Sequence, residues 1–183
     1  MSHRPRPHPQ CLLPVIMTVP ALVVACSVIA TDSPDETSHG PRIGTYDNRA
    51  IAVAFAASRF NDMSERMGEY EKAKAAGDAA RMKELEAWGQ ARQRRLHRQG
   101  FGRVPVDDLL EHVEDQLANV ARQTGVDAIT WHCAYARPDV VTVDVTSEIV
   151  ALFDPSAKTL RTIRQLRGRE PLDLDEIERH HDH

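Results

Sequence analysis

The chain predicts an α+β fold: a small antiparallel or mixed sheet, a helical hairpin and a C-terminal helix. Three observations carry this expectation. Residues 42–47 form a strand candidate that runs directly into a long stretch of helical propensity, 48–99, punctuated by Gly77-Asp78. Two further strand candidates, 127–135 and 140–143, lie on either side of the turn sequence Arg137-Pro138-Asp139. Aromatic residues make up only 5% of the 183 residues and charged ones 27%, a balance that suits helices with wide polar surfaces.

The N-terminal thirty residues read as an export signal. Residues 1–10 are polar and carry Arg4 and Arg6, and 11–30 are almost wholly apolar. Val23-Val24-Ala25-Cys26 matches the bacterial lipobox: aliphatic, aliphatic or small, small, Cys. Three outcomes are open. Cleavage before Cys26 would leave a lipidated thiol. Cleavage after Val28-Ile29-Ala30 would give a soluble product. An uncut segment would have roughly the 20 residues needed to span a bilayer, although Pro14 and Pro20 disfavour regular helix within it. Cys26 is the expected lipidation site, and the expected location is the periplasm, at a membrane through that anchor. Either cleavage leaves Cys133 as the one cysteine beyond the signal and lipid positions, so an intrachain disulfide is excluded.

Residues 31–41 (TDSPDETSHGP) form a polar linker. About 150 residues follow the signal, which suits one domain. In 42–47 the strand is followed by Asp47 or Asn48 as a helix cap. Ala50, Ile51, Val53, Ala54 and Phe55 open the helix as an apolar block. Phe60, Met63, Met67 and Tyr70 continue it at three- and four-residue steps. Gly77-Asp78 marks a turn or kink, since Gly weakens a helix interior by about 1 kcal/mol. Met82, Leu85 and Trp88 then resume an apolar stripe. Gly100-Phe101-Gly102 breaks the helix, and a new one follows Pro105 with Leu109, Leu110, Val113, Leu117, Val120 and Ala121 on one face and Gly125 as its stop. After the two strand candidates, Thr146 is placed to cap a short helix over 147–153. Asp154-Pro155 starts the last main helix, with Leu160, Ile163 and Leu166 as its buried side. Residues 168–183 read as a polar tail with helical propensity around 174–178.

Chemistry-bearing clusters are few. His132-Cys133 lies in an expected strand, where adjacent side chains face opposite ways and cannot act on each other; Cys133 reads as a small core residue. His180, His181 and His183 with Asp182 could ligate a transition metal, but they sit on a polar terminus, and no metal or other cofactor is expected. Asp108 with His112, and Glu111 with Asp115, share a helix face and read as a solvated surface. Arg92, Arg94, Arg95 and Arg98 could meet anionic lipid, but read better as a solvated helix face. Lys and Arg number 23 against 27 Asp and Glu, a net charge of -4, which disfavours non-specific nucleic-acid binding.

Two stretches carry a likeness to a known family. Ile43-Gly44-Thr45-Tyr46-Asp47 looks like an opening strand that runs into a long helix. Gly125-Val126-Asp127-Ala128-Ile129, followed by Asp144-Val145-Thr146-Ser147-Glu148-Ile149-Val150, looks like a closing strand pair with an Asp-aliphatic-Thr step into a final helix. In this layout, over residues 42–154, the chain resembles the Skp (OmpH-like) periplasmic chaperones. That resemblance implies a protruding helical hairpin, here a short coiled-coil arm, and three chains closing a small β-structure. It also implies that unfolded or envelope proteins are held between the arms without ATP. The arm here is short, the chain is mildly acidic where the family is often basic, and residues 155–183 have no placed counterpart.

The expected function is therefore a non-enzymatic envelope holdase or assembly factor, homo-oligomeric and trimeric if Skp-like. Phe60, Met63, Met67 and Met82 are the expected client-binding residues, since Met adapts to irregular surfaces; an ordinary helix-packing seam is the competing explanation for the same four. The alternative function is a structural lipoprotein that binds one folded partner.

Overall fold

Gly44 sets the layout of the sheet. In the computed structural model, which describes residues 40–179, it lies in the central strand β1 (Arg42–Thr45). β2 (Ala128–Thr130) and β3 (Val141–Asp144) flank β1, and both run parallel to it. The register sets Gly44 beside Ile129 and Val143. A Cβ on Gly44 would stand 3.1 and 3.2 Å from the two Val145 methyls and 3.2 Å from a Val126 methyl. Glycine thus lets the residues flanking β2 and β3 close beneath the middle of the sheet.

The expected antiparallel or mixed sheet is corrected by this topology, in which both pairings are parallel. β2 and β3 do not pair, because β1 lies between them. The turn at Arg137-Pro138-Asp139 does form, with the Val140 N–H donating to the Arg137 carbonyl (3.0 Å) and an Arg137–Asp139 ion pair (3.0 Å). It only redirects the chain into β3. The strand expected over 127–135 ends at Thr130, and residues 131–140 carry the chain past β1. Crossing two strand spacings, roughly 10 Å, needs such a segment, whereas an antiparallel pair needs only a tight turn.

Asp47 caps α1 (Asn48–Ala56) as expected, accepting the Arg49 N–H at 3.0 Å. α1 is the centre of the core: Ala50, Ile51, Ala54 and Phe55 are fully buried, and α3, α6 and α7 pack on it. The helix stops earlier than its propensity suggests. The Ser58 hydroxyl donates to the Phe55 carbonyl (2.8 Å) and the Asn61 amide to the Ala56 carbonyl (2.8 Å), satisfying carbonyls at the helix end. α2 (Met63–Ala76) then ends at Gly77, whose φ of 69° is the left-handed conformation that glycine adopts without strain. α3 (Ala79–Phe101) is capped by Asp78.

The helix expected after Pro105 is three pieces: α4 (Asp107–Leu110), a 3-10 turn (Glu111–Val113) and α5 (Glu114–Thr124). Its expected apolar face holds, with Leu109, Leu110, Val113 and Val120 buried, and Gly125 ends α5. α6 (Thr146–Ala151) is entered differently from expectation. Thr146 does not cap it; the Asp144 carboxylate accepts the Thr146 N–H (2.9 Å), and the Thr146 hydroxyl accepts the Asp47 N–H (3.0 Å). In α7 (Ala157–Arg167) Ile163 is buried as expected but Leu160 is exposed, and Ser156 supplies the cap. The segment read as a polar tail includes α8 (Leu174–Arg179), whose Ile177 is buried near Gly102. No helix among the described residues is long and apolar enough to cross a membrane.

Candidate functional site

An open, largely apolar cleft lies between α2 and α3, with a volume of about 320 Å³. Met63, Met67, Tyr70, Leu85 and Trp88 line it, and Gly89 leaves open space where a side chain would stand. Polar contacts join the two helices around it. The Tyr70 hydroxyl donates to Glu86 (2.9 Å), and Arg81 pairs with Glu69. The Arg66 guanidinium lies 5.5 Å from the centre of the Trp88 ring and 3.3 Å from Glu69. The Arg81 hydrogen bond is the main reason that Glu69 titrates below the ordinary carboxylate range; slight desolvation opposes it and Arg66 reinforces it. Tyr70 is pushed up, first by its hydrogen bond to Glu86.

The structure divides the four expected client-binding residues. Met63 and Met67 line the cleft, and Met67 is 58% exposed. Met82 is half-buried on α3 and lies outside the cleft lining. Phe60 packs against the core: its ring lies 6.0 Å from Phe153, edge-on, and 5.5 Å from His112. Trp88 and Leu85, in place of Met82 and Phe60, complete the apolar lining. Their sequence signal was the three-residue step on α3, which does not by itself tell which side faces α2.

The other clusters also separate. Asp108 accepts from Gln99 (2.7 Å) and pairs with Arg95 (3.1 Å), while His112 lies against Phe55 and Phe60, so the two do not act together. The basic stretch of α3 is a largely exposed helix face, with Arg94, Arg95 and Arg98 at the surface, and three of its arginines also make contacts within the fold. Arg92 covers the Phe55 ring at 5.0 Å, Arg95 meets Asp108, and Arg98 reaches Glu178 at 4.0 Å. His132 and Cys133 lie beyond β2, so strand alternation does not govern them. Cys133 is half-buried, with its thiol donating to the Tyr135 carbonyl (3.2 Å), and is not a core residue. Cys26 and His180, His181 and His183 lie outside the described residues. Among the described residues no group of three or more His, Cys, Asp or Glu side chains could hold a metal ion.

Two more clefts meet at the carboxyl ends of β1 and β2. One, about 260 Å³, is polar and includes Arg49, Arg103, Arg167 and Arg169. The other, about 410 Å³, is largely apolar, with Leu110, Leu117 and Ile129. Tyr46 and Trp131 line both. Burial, with a contribution from Asp107, pushes the Tyr46 hydroxyl up to about 12.

Comparison with protein-family models, curated proteins and solved structures finds no match.

Proposed function

We propose that the protein is a non-enzymatic holdase of the cell envelope, in which α2 and α3 form a short protruding arm and the cleft between them receives apolar segments of unfolded chains. The observation that carries this reading is the open apolar lining of Met63, Met67, Tyr70, Leu85 and Trp88, flanked by Arg66, Glu69 and Glu86. Flexible Met side chains beside a large aromatic ring accommodate varied partners. A rim of mixed charge keeps the contact weak and the free protein soluble.

Two further parts of the reading come from elsewhere in the chain. Cys26 supplies a lipid anchor at the periplasmic face of a membrane, and residues 31–41 tether the domain. Copies of the chain associate through the sheet. Its face opposite Gly44 presents Ile43, Thr45, Ala128, Thr130 and Thr142, all half-buried or exposed, and a three-stranded sheet with an open face gains stability when covered.

The test is suppression of aggregation of unrelated denatured proteins. The wild-type chain should suppress it, and Met63→Ser with Met67→Ser should lose most of that effect while the circular-dichroism spectrum stays unchanged. Equal suppression by the double variant would remove the cleft from the function. Failure to suppress, with one dominant folded partner in a pull-down, would assign the protein to scaffolding instead.

A further inference from the structure

The paired clefts at the end of the sheet carry an inference separate from the α2–α3 cleft. In open parallel sheets, ligands bind beyond the carboxyl ends of the strands, where neighbouring strands lead the chain in different directions. Tyr46 follows β1 and Trp131 follows β2, so both clefts occupy that position.

Charge decides what the polar cleft would take. Of its four guanidiniums, Arg49 is committed to Asp47 (2.8 Å) and to the Arg169 carbonyl (2.8 Å), and Arg167 is paired with Asp144. Arg103 and Arg169 have no side-chain partner among the described residues. Glu170 is the one carboxylate of the lining left to oppose them, so two positive charges less one negative leave an excess of one. That excess suits a single negative charge, and the planar fork of arginine matches a carboxylate.

The neighbouring cleft adds an apolar body and an opposite pole. Leu110, Leu117, Ile129 and the Trp131 ring offer room for a large side chain, and Asp107, Glu111 and Glu114 stand around it. These acids would face an anionic bilayer unfavourably, which argues against a lipid headgroup as the occupant. They favour a ligand that is negative at one end, apolar in its body and positive beyond. β2 is an edge strand among the described residues, and Ile129 and Thr130 line the cleft, so an extended backbone entering it would run beside that edge.

We propose that the double cleft binds the free carboxyl terminus of a polypeptide whose last side chain is large and apolar and whose preceding residue is basic. The terminal carboxylate lies with Arg103 and Arg169, the last side chain against Tyr46, Trp131 and Leu117, and the basic residue near Glu111 and Glu114.

The experiment uses the full chain and a short fluorescent peptide ending in Lys-Phe, read by anisotropy. The free acid should bind on the order of tenfold more tightly than the same peptide as its C-terminal amide, the scale of one charge-assisted hydrogen bond. Arg103→Ala with Arg169→Ala should bring the acid down to the amide without changing the amide. Both side chains are exposed, and the Arg49 bond is to the Arg169 backbone, so this variant should stay folded. Replacing the peptide lysine by glutamate should weaken binding. Met63→Ser with Met67→Ser should leave it unchanged, which separates this site from the holdase cleft. Equal binding of acid and amide, or full binding by the double arginine variant, would overturn the proposal. So would binding to phosphatidylglycerol vesicles that the arginine variant loses while peptide binding persists.

Discussion

At the residue scale, Gly44 and the Asp144-Val145-Thr146 step hold the sheet to the helices. Val145 is fully buried under Gly44 and donates its N–H to the Thr45 carbonyl (2.9 Å). Gly44→Ala forces a methyl into side chains just over 3 Å away. Overpacking of this kind costs about 1–3 kcal/mol, and we expect a lower midpoint in urea with an unchanged slope. Partial burial of Asp144 acts to raise its pKa, but the Thr146 hydroxyl and N–H and the Arg167 guanidinium outweigh it, so the group titrates below 3.8. A carboxyl lowered in the folded state stabilises the fold above its unfolded pKa, and that contribution is lost as pH falls through the lowered value. Wild type should therefore exceed Asp144→Asn in melting temperature at neutral pH, and the gap should narrow below pH 3.8. A gap that stays constant through acid would show that the charge of Asp144 is immaterial.

At the element scale, the break after α1 decides what α2 and α3 present. Residues 57–62 turn the chain so that Phe60 faces Phe153 and His112, while Met63 and Met67 face the cleft. The apolar periodicity that joined these residues in the sequence does not survive the turn. Truncating a packed Phe costs several kcal/mol when buried, and about 2 kcal/mol is expected for half-buried Phe60. Phe60→Ala should thus lower thermal stability by several degrees, whereas exposed Met67→Ala should leave it within a degree or so. Comparable losses for both would mean that Met67 is structural.

At the scale of the whole molecule, α1 receives helices from both halves of the chain, so the two ends of the described region fold together. One face of the sheet is left half-buried or exposed in that arrangement. Sedimentation velocity across a concentration series should show reversible association in the micromolar range. Ile43→Asp, placed on the open face, should shift the boundary toward monomer without loss of helix signal. A wild-type chain that sediments as a monomer throughout would detach the sheet from any assembly role.

The sequence alone determined the local features: a cap at Asp47 or Asn48, a break at Gly77-Asp78, the end of α5 at Gly125, and the apolar face from Leu109 to Val120. Each depends on residues within a turn or two of one another, so propensity and periodicity were sufficient. Only the tertiary structure decided strand order, the separation of Phe60 from Met63 and Met67, and the meeting of Arg103, Arg169 and Trp131. Strands of three or four residues carry no local preference for parallel or antiparallel neighbours. Their order followed from the close approach of Val126 and Val145 at Gly44, a contact between residues about eighty to a hundred positions apart that no local pattern can encode.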